Sequence, residues 1–403
     1  MQTSNAIIWN KVISYSVPIF IVVAQYKLVG YVNYGTVFLL LLSLIAFLGS
    51  KNKVFTIYKP LLNFVFVLIF ALFLSIIRDF NVEFATINWM LQGLAIIFII
   101  MVVSKYSRLQ FIYESYAVIG YISIFILFVQ AYQIYIIGHS VSPISILPIA
   151  ESDIRLWQPA PRPSSLFTEP QAYCSFIFPL LLLADKYKNK KLSFLVSISM
   201  LLSGSSFGIL ALFLYLLYRT FFLERVLSNK LIVIFFGLFS LLLLMNLSYF
   251  DAAISKIERI DLTYDIRLTK GFILYFDIPI LDKIIGLKGE VSDFILSNIH
   301  NYPWAYRYMN ESSIHLLNYV TTYSSVFLNF GLISGVFFSI LIYKLFDNKC
   351  SFAKGIAFLI VITSFTATIL FNSWFLFYYL LYFSRSEFLG SNAFYHFKFK
   401  VSQ

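Results

Sequence analysis

Charge is what this sequence has least of. Only 12% of its 403 residues are Asp, Glu, Lys or Arg, while 60% are hydrophobic and mean hydropathy is +0.83. A soluble domain carries roughly 25% charged residues, because a folded globule still needs a polar surface. So little charge excludes a water-soluble globule of this length and leaves lipid as the solvent. Cysteine is scarce as well: Cys174 and Cys350 are the only two. They exclude a disulfide framework and read as packing residues. No Walker A loop, HExxH or CxxC occurs. These absences exclude a P-loop nucleotide site and argue against a metal centre. The sequence asks for no cofactor and no metal.

The apolar residues come in continuous runs rather than alternating with period two, so the spans are helices and not barrel strands. A bilayer core needs roughly 20 apolar residues per helix. On that basis spans are expected at about 12–29, 31–49, 60–77, 84–103, 111–137, 170–184, 191–203, 206–222, 230–248, 316–343, 355–371 and 373–384. The expected fold is all-α, a polytopic membrane protein of about 12 transmembrane helices forming one integral domain over residues 1–403. The first span carries Pro18 and is followed at once by a second, so it reads as an anchor and not as a cleaved signal. Two stretches are long for one helix and short for two. The first is 191–222, with Ser203-Gly204-Ser205-Ser206 in its middle; the second is 355–384, with Asn372-Ser373 as its break.

Lys and Arg decide how these stretches divide. The net charge of +11 falls in short loops, which is orientation chemistry and attraction to anionic lipid, not a nucleic-acid footprint. Lys51, Lys53, Lys105, Lys188, Arg219, Lys349 and Lys398 all fall on one side if both long stretches are hairpins. Twelve spans with both termini in the cytoplasm follow from the positive-inside rule. Two longer connections then lie outside. One runs over 138–169 and is proline-rich, an ordered cap without long helices. The other runs over 249–315 and contains an amphipathic stretch, Ile266–Ile285, read as one helix lying in the membrane interface. Long connections usually carry function, so the chemistry is expected on the outer face.

The richest segment is Arg155 to Gln171, RLWQPAPRPSSLFTEPQ. It brings two arginines and Glu169 to the point where the chain re-enters the membrane. Pro170 suits the first turn of a helix, which puts Glu169 near its cap. Glu169 then either complements the helix dipole or stands as a carboxylate at the mouth of a cavity. Arginine suits phosphate because its planar fork binds two oxygens at once.

Residues 162–170, Arg-Pro-Ser-Ser-Leu-Phe-Thr-Glu-Pro, resemble the segment that opens the central helix of Wzy O-antigen polymerases and the related O-antigen ligases. Ser203–Leu210 is similar to the small-residue turn that follows two helices later. Arg267…Gly271…Pro279…Gly286-Leu-Lys-Gly289 is similar to the run in the family's large periplasmic loop, and Thr322-Tyr323…Gly331-Leu-Ile-Ser-Gly335 to its Asn-Thr-Tyr…Gly-Leu-Ile-Gly helix. The resemblance covers roughly residues 155–340. One departure favours the polymerase: where the ligases carry His-Asn before that Thr-Tyr, this chain has Val320 and Thr321.

The resemblance implies a glycosyltransferase that needs no metal and joins undecaprenyl-diphosphate-linked repeat units at the periplasmic face of the inner membrane. Arg162 and Arg267 would bind the leaving diphosphate, with guanidinium groups from the two outer segments converging on it. Glu169 would be the base. Arg155, Arg259, Asp265, Asp293, His300 and His315 stand behind them. Trp157, Tyr302, Trp304 and Tyr306 are candidates to stack on sugar rings. Implied partners are the lipid-linked glycan, membrane lipid, a chain-length regulator and a flippase. The rival readings are an O-antigen ligase acting on lipid A core, and a flippase or other transporter. Transport is weakened by the absence of recurring carboxylates in the spans.

Overall fold

A computed structural model of the chain describes residues 2–29, 32–50, 54–79, 84–219, 267–287, 290–309, 314–348, 350–370, 372–384 and 393–398. The fold is mostly helical, at 76%, with few strands. Its Cα packing divides into two compact units, residues 1–45 with 106–259 and residues 46–105 with 260–403.

Among the described residues three helices are long and apolar enough to cross a membrane: Trp89–Tyr106, Leu109–Ile137 and Thr322–Leu345. That is the composition of a membrane-associated protein. The other apolar helices are shorter, for example Tyr34–Leu48 and Ser351–Thr366. A 16-residue helix is about 24 Å long against a hydrocarbon core of about 30 Å. The expected span at 230–248 lies outside the described residues, as do 249–266, 288–289 and 310–313 of the second connection.

In the first unit, α1 (Gln2–Val23) is followed by a short antiparallel pair, β1 (Lys27–Val29) and β2 (Val32–Asn33), and then by α2 (Tyr34–Leu48). The expected first span ran on to residue 29. The helix ends earlier because Gln25 and Tyr26 turn away to bind the 138–169 connection. Next come α5 (Leu109–Tyr132), continued by a π-helical turn (Gln133–Ile137), and α6 (Pro170–Lys186). Every residue of α6 from Tyr173 to Ala184 is buried, so this is the central helix of its unit. Tyr116 of α5 donates to the Phe176 carbonyl, and a Cβ on Gly120 would overlap Leu180, so α5 lies close against α6.

The first ambiguous stretch forms two helices, α7 (Lys190–Leu202) and α8 (Ser206–Tyr218). Caps explain the division: Asn189 accepts from Leu192 N–H, and Ser205 accepts from Gly208 N–H. Each is only 13 residues long, about 20 Å, and so short of the hydrocarbon core.

In the second unit, β3 (Val54–Tyr58) pairs antiparallel with β4 (Phe394–Lys398). The unit also contains α3 (Lys59–Asp79), α4 (Phe84–Tyr106), α9 (Arg267–Asp277), α10 (Ile280–Ile285), α11 (Val291–Ser297), α12 (Thr322–Leu345), α13 (Ser351–Thr366) and α14 (Ser373–Phe383). The strands were not expected; Val54-Phe-Thr-Ile-Tyr58 is β-branched and aromatic, the composition a strand favours. The second ambiguous stretch also forms two helices. Asn372 caps α14 by accepting from Trp374 and Phe375 N–H, but α13 already ends at Thr366 rather than 371. The freed Ala367 carbonyl there is taken by Thr322 N–H and its hydroxyl. The amphipathic stretch is two helices and not one, because Pro279 cannot continue α9 and caps α10 instead.

α12 is broken in its middle. Gly331 has φ 77 and ψ 178, outside the helical region. Gly286, with φ 114, closes α10 against this break, and Leu287 N–H donates to the Leu328 carbonyl at 2.8 Å. A Cβ on Gly331 would overlap the Ile284 carbonyl, and one on Gly286 the Asn329 carbonyl. Two constraints therefore act at each glycine, the left-handed backbone and the close approach. Gly138 has φ 82 but open space around it. Gly331→Ala is expected to destabilise by about 3 kcal/mol or more and Gly138→Ala by about 1 kcal/mol. Thermal melts of the two variants in detergent measure this; equal shifts would mean that the packing of α10 against the break contributes nothing.

Candidate functional site

The segment that leads into α6 is built from backbone groups that no helix or strand satisfies. Two glutamines satisfy them. Gln130 of α5 is buried, and its Oε1 accepts from Ser164 N–H at 3.1 Å and Ser165 N–H at 2.7 Å. Its Nε2 donates to the carbonyls of Ser142 and Ser165. Gln25 does the same from the end of α1: Oε1 accepts from Thr168 N–H, and Nε2 donates to the Leu166 carbonyl at 3.0 Å. Between them Ser165 takes φ 60, a left-handed conformation unfavourable for a non-glycine residue. It is held there by Gln130, by its own hydroxyl donating to the Ser123 carbonyl, and by Ile144 N–H.

This clamp decides what faces outward. Leu166 and Phe167 turn inward, Phe167 packing on Phe176 and Tyr173 of α6. Arg162 and Glu169, on either side, are exposed. Arg162 Nη1 donates to the Gly204 carbonyl at 3.4 Å, in the α7–α8 turn. That turn lies beside the start of α6, where Ser203 Oγ is 3.1 Å from Cys174 Sγ. Pro170 opens α6 and Glu169 is its capping residue, as the sequence suggests, but the carboxylate makes no capping hydrogen bond. Among the described residues it has no hydrogen-bond or ion-pair partner. An exposed guanidinium and an unengaged carboxylate on one rigid segment can bind an anion and accept a proton.

The connection over 138–169 is tied to the β1 region. Lys27 pairs with Asp153 at 2.6 Å, and Ile146 N–H donates to the Tyr26 hydroxyl at 2.7 Å. Burial raises the Tyr26 phenol above its ordinary pKa even though backbone N–H groups oppose the shift. Trp157 closes a seven-residue 3-10 helix (Glu151–Trp157) and stacks on Tyr26 at 5.0 Å, itself buried. Its ring is a packing element and not a platform for a sugar. Arg155 lies in the same turn; its side chain is outside the described residues.

The second unit holds the remaining candidates. Arg267 opens α9, with its side chain outside the described residues, as is that of His315 in the 3-10 turn Ile314–Asn318. Arg259 and Asp265 lie outside them entirely. Asp293, in the first turn of α11, and His300 are exposed. Tyr302 and Trp304 are buried in one hydrophobic cluster with Leu274, Ile278 and Ile295, and Tyr302 donates to Asp277 at 3.0 Å. They hold the connection together and offer no free ring face; Tyr306 is the exposed aromatic of this run. Thr321 caps α12 by accepting from Ser324 N–H, so the position that departs from the ligase pattern has a structural duty here.

Sequence reasoning missed Gln25 and Gln130. The signal was available: an amide in an apolar span is costly unless it is paired. It also missed Lys270, one turn after Arg267, which is buried, donates to the Leu316 and Leu317 carbonyls and lies 5.9 Å from the Trp304 ring centre. Among the described residues no group of three or more His, Cys, Asp or Glu side chains is placed to hold a metal ion.

Gln130→Leu removes both halves of the larger clamp and leaves buried amide groups without partners. It is expected to lower stability by about 2–4 kcal/mol and to speed proteolysis between residues 142 and 169. Limited digestion of membranes carrying the variant checks this, and an unchanged cleavage pattern would remove the clamp from the account.

Compared with known families and with curated proteins, the chain matches no family model and no curated sequence.

Proposed function

We propose that the chain is a glycosyltransferase of the Wzy polymerase type, joining undecaprenyl-diphosphate-linked oligosaccharide units at the periplasmic face of a bacterial inner membrane. The observation that carries the reading is the 162–169 segment. It presents an exposed arginine and an unengaged carboxylate on backbone held by Gln25 and Gln130. Twelve spans with both termini in the cytoplasm belong to the same reading, since they put this segment outside.

The step balances without a nucleotide. A hydroxyl oxygen of the incoming unit bonds to the anomeric carbon of the growing chain. The bond from that carbon to the diphosphate oxygen breaks, and its electron pair leaves with the lipid diphosphate. Glu169 takes the hydroxyl proton. Arg162 faces the charge that grows on the leaving group, where a preorganised guanidinium lowers the barrier more than it strengthens ground-state binding. Arg267 is proposed for the same charge on the resemblance alone. Membrane lipid, a chain-length regulator and a flippase are the proposed partners.

Arg162→Ala is expected to reduce chain growth by about 100-fold or more while the protein still inserts, and Arg162→Lys to restore little, because an ammonium lacks the fork. Arg267→Ala and Arg267→Lys should behave alike. The readout is the lipopolysaccharide ladder of a deletion strain carrying each variant. Normal ladders from both alanine variants would remove the diphosphate role. The deletion itself separates the ligase: loss of a polymerase leaves single repeat units attached, and loss of a ligase leaves none.

A further inference from the structure

α9 and α10 do not end as a free amphipathic surface. The buried face of α9, with Leu274, Tyr275 and Ile278, packs into the hydrophobic cluster of its own unit. The opposite side carries Phe276, 67% exposed, and α10 adds Ile280 at 76%, Leu281 at 56% and Ile284 at 45%. Large apolar side chains this exposed, side by side, mark a surface that something apolar covers.

The break in α12 says what covers it. Gly286 and Ile284 lie against Asn329, Phe330 and Gly331, with Leu287 N–H on the Leu328 carbonyl. Gly331 lies about nine residues into α12, or roughly 14 Å along its axis. α12 is one of the helices long and apolar enough to cross a membrane. A broken helix in lipid is tolerated only where neighbouring protein satisfies the freed backbone groups, and here α10 does so. Immediately beyond the break, Leu332 and Ile333 are 46% and 53% exposed. The apolar face of α10 is therefore continuous with the outward face of α12. Asp282 and Lys283 are half-buried, and the exposed Asp277 beside Phe276 accepts from the Tyr302 hydroxyl.

We propose that α9 and α10 form a re-entrant wedge, with Phe276, Ile280, Leu281 and Ile284 covered by lipid acyl chains at the depth of the α12 break. The wedge reaches into the bilayer instead of lying flat on it. This does not depend on the polymerase reading.

Spin labels test it in the full chain with Cys174→Ser and Cys350→Ser, reconstituted in phosphatidylcholine–phosphatidylglycerol vesicles. Labels are placed by Ile280→Cys and Ile284→Cys, with Phe276→Cys as a third site should either fail to fold. Ile340→Cys, on the exposed side of α12, is the lipid reference, and Tyr306→Cys the water reference. The wedge labels are expected to collide several-fold more often with oxygen than with a water-soluble nickel chelate, as at residue 340. Preference for the chelate, as at residue 306, would overturn the proposal in favour of a solvated surface. Little collision with either reagent would overturn it in favour of a protein partner.

Discussion

Backbone amides that leave a helix in apolar surroundings must still find partners, and this requirement shapes two irregular segments among the described residues. An unpaired buried peptide group costs about 1–3 kcal/mol, and lipid offers no water to satisfy it. Between residues 163 and 168 the partners are two glutamine side chains, each engaging the backbone through both its oxygen and its nitrogen. At the break in α12 the partner is the Leu287 N–H, brought close because Gly286 and Gly331 have no side chains to collide. Both solutions hold irregular backbone rigid. That rigidity separates them from ordinary loops, in which backbone groups face solvent and the chain is mobile.

A rigid approach to α6 matters for chemistry on a charged lipid. An arginine on a mobile loop loses conformational entropy when it binds an anion; one on a fixed segment loses less, and more of its interaction is available as charge develops. Ser165 shows how strongly the segment is specified, since a left-handed serine persists only when its surroundings over-determine it. The same logic explains why Phe167 is buried while Arg162 and Glu169 are not. The clamped turn points Phe167 toward Phe176 and leaves Arg162 and Glu169 outside. The Gly204 carbonyl, exposed by the tight α7–α8 turn, gives Arg162 a second point of attachment.

Helix positions were legible where composition was uniform. The starts at Lys59, Phe84, Pro170 and Ser373 agree with the apolar runs to within a residue or so, because polar loops and caps mark them plainly. The division of both long stretches into two helices was legible from Ser203–Ser206 and Asn372. What escaped was everything decided by tertiary contact. The early end of α1 depends on Gln25 finding the Leu166 carbonyl 141 residues away. The β3–β4 pair joins strands more than 300 residues apart, which no local pattern announces. Trp157, Tyr302 and Trp304 look like ring platforms in sequence, yet Tyr26 and the cluster around Ile295 take their faces. The place of Glu169 at the opening of α6 was legible because Pro170 follows it.

The most direct measurement is amide hydrogen exchange across residues 159–170 in the membrane-embedded protein. If the glutamine clamps hold this segment as described, the amides of Ser164, Ser165 and Thr168 exchange as slowly as those in the middle of α6, despite lying in no helix or strand. Exchange of these amides at the rate of an open loop would contradict the account, because the arginine and carboxylate beside them would then have no fixed platform.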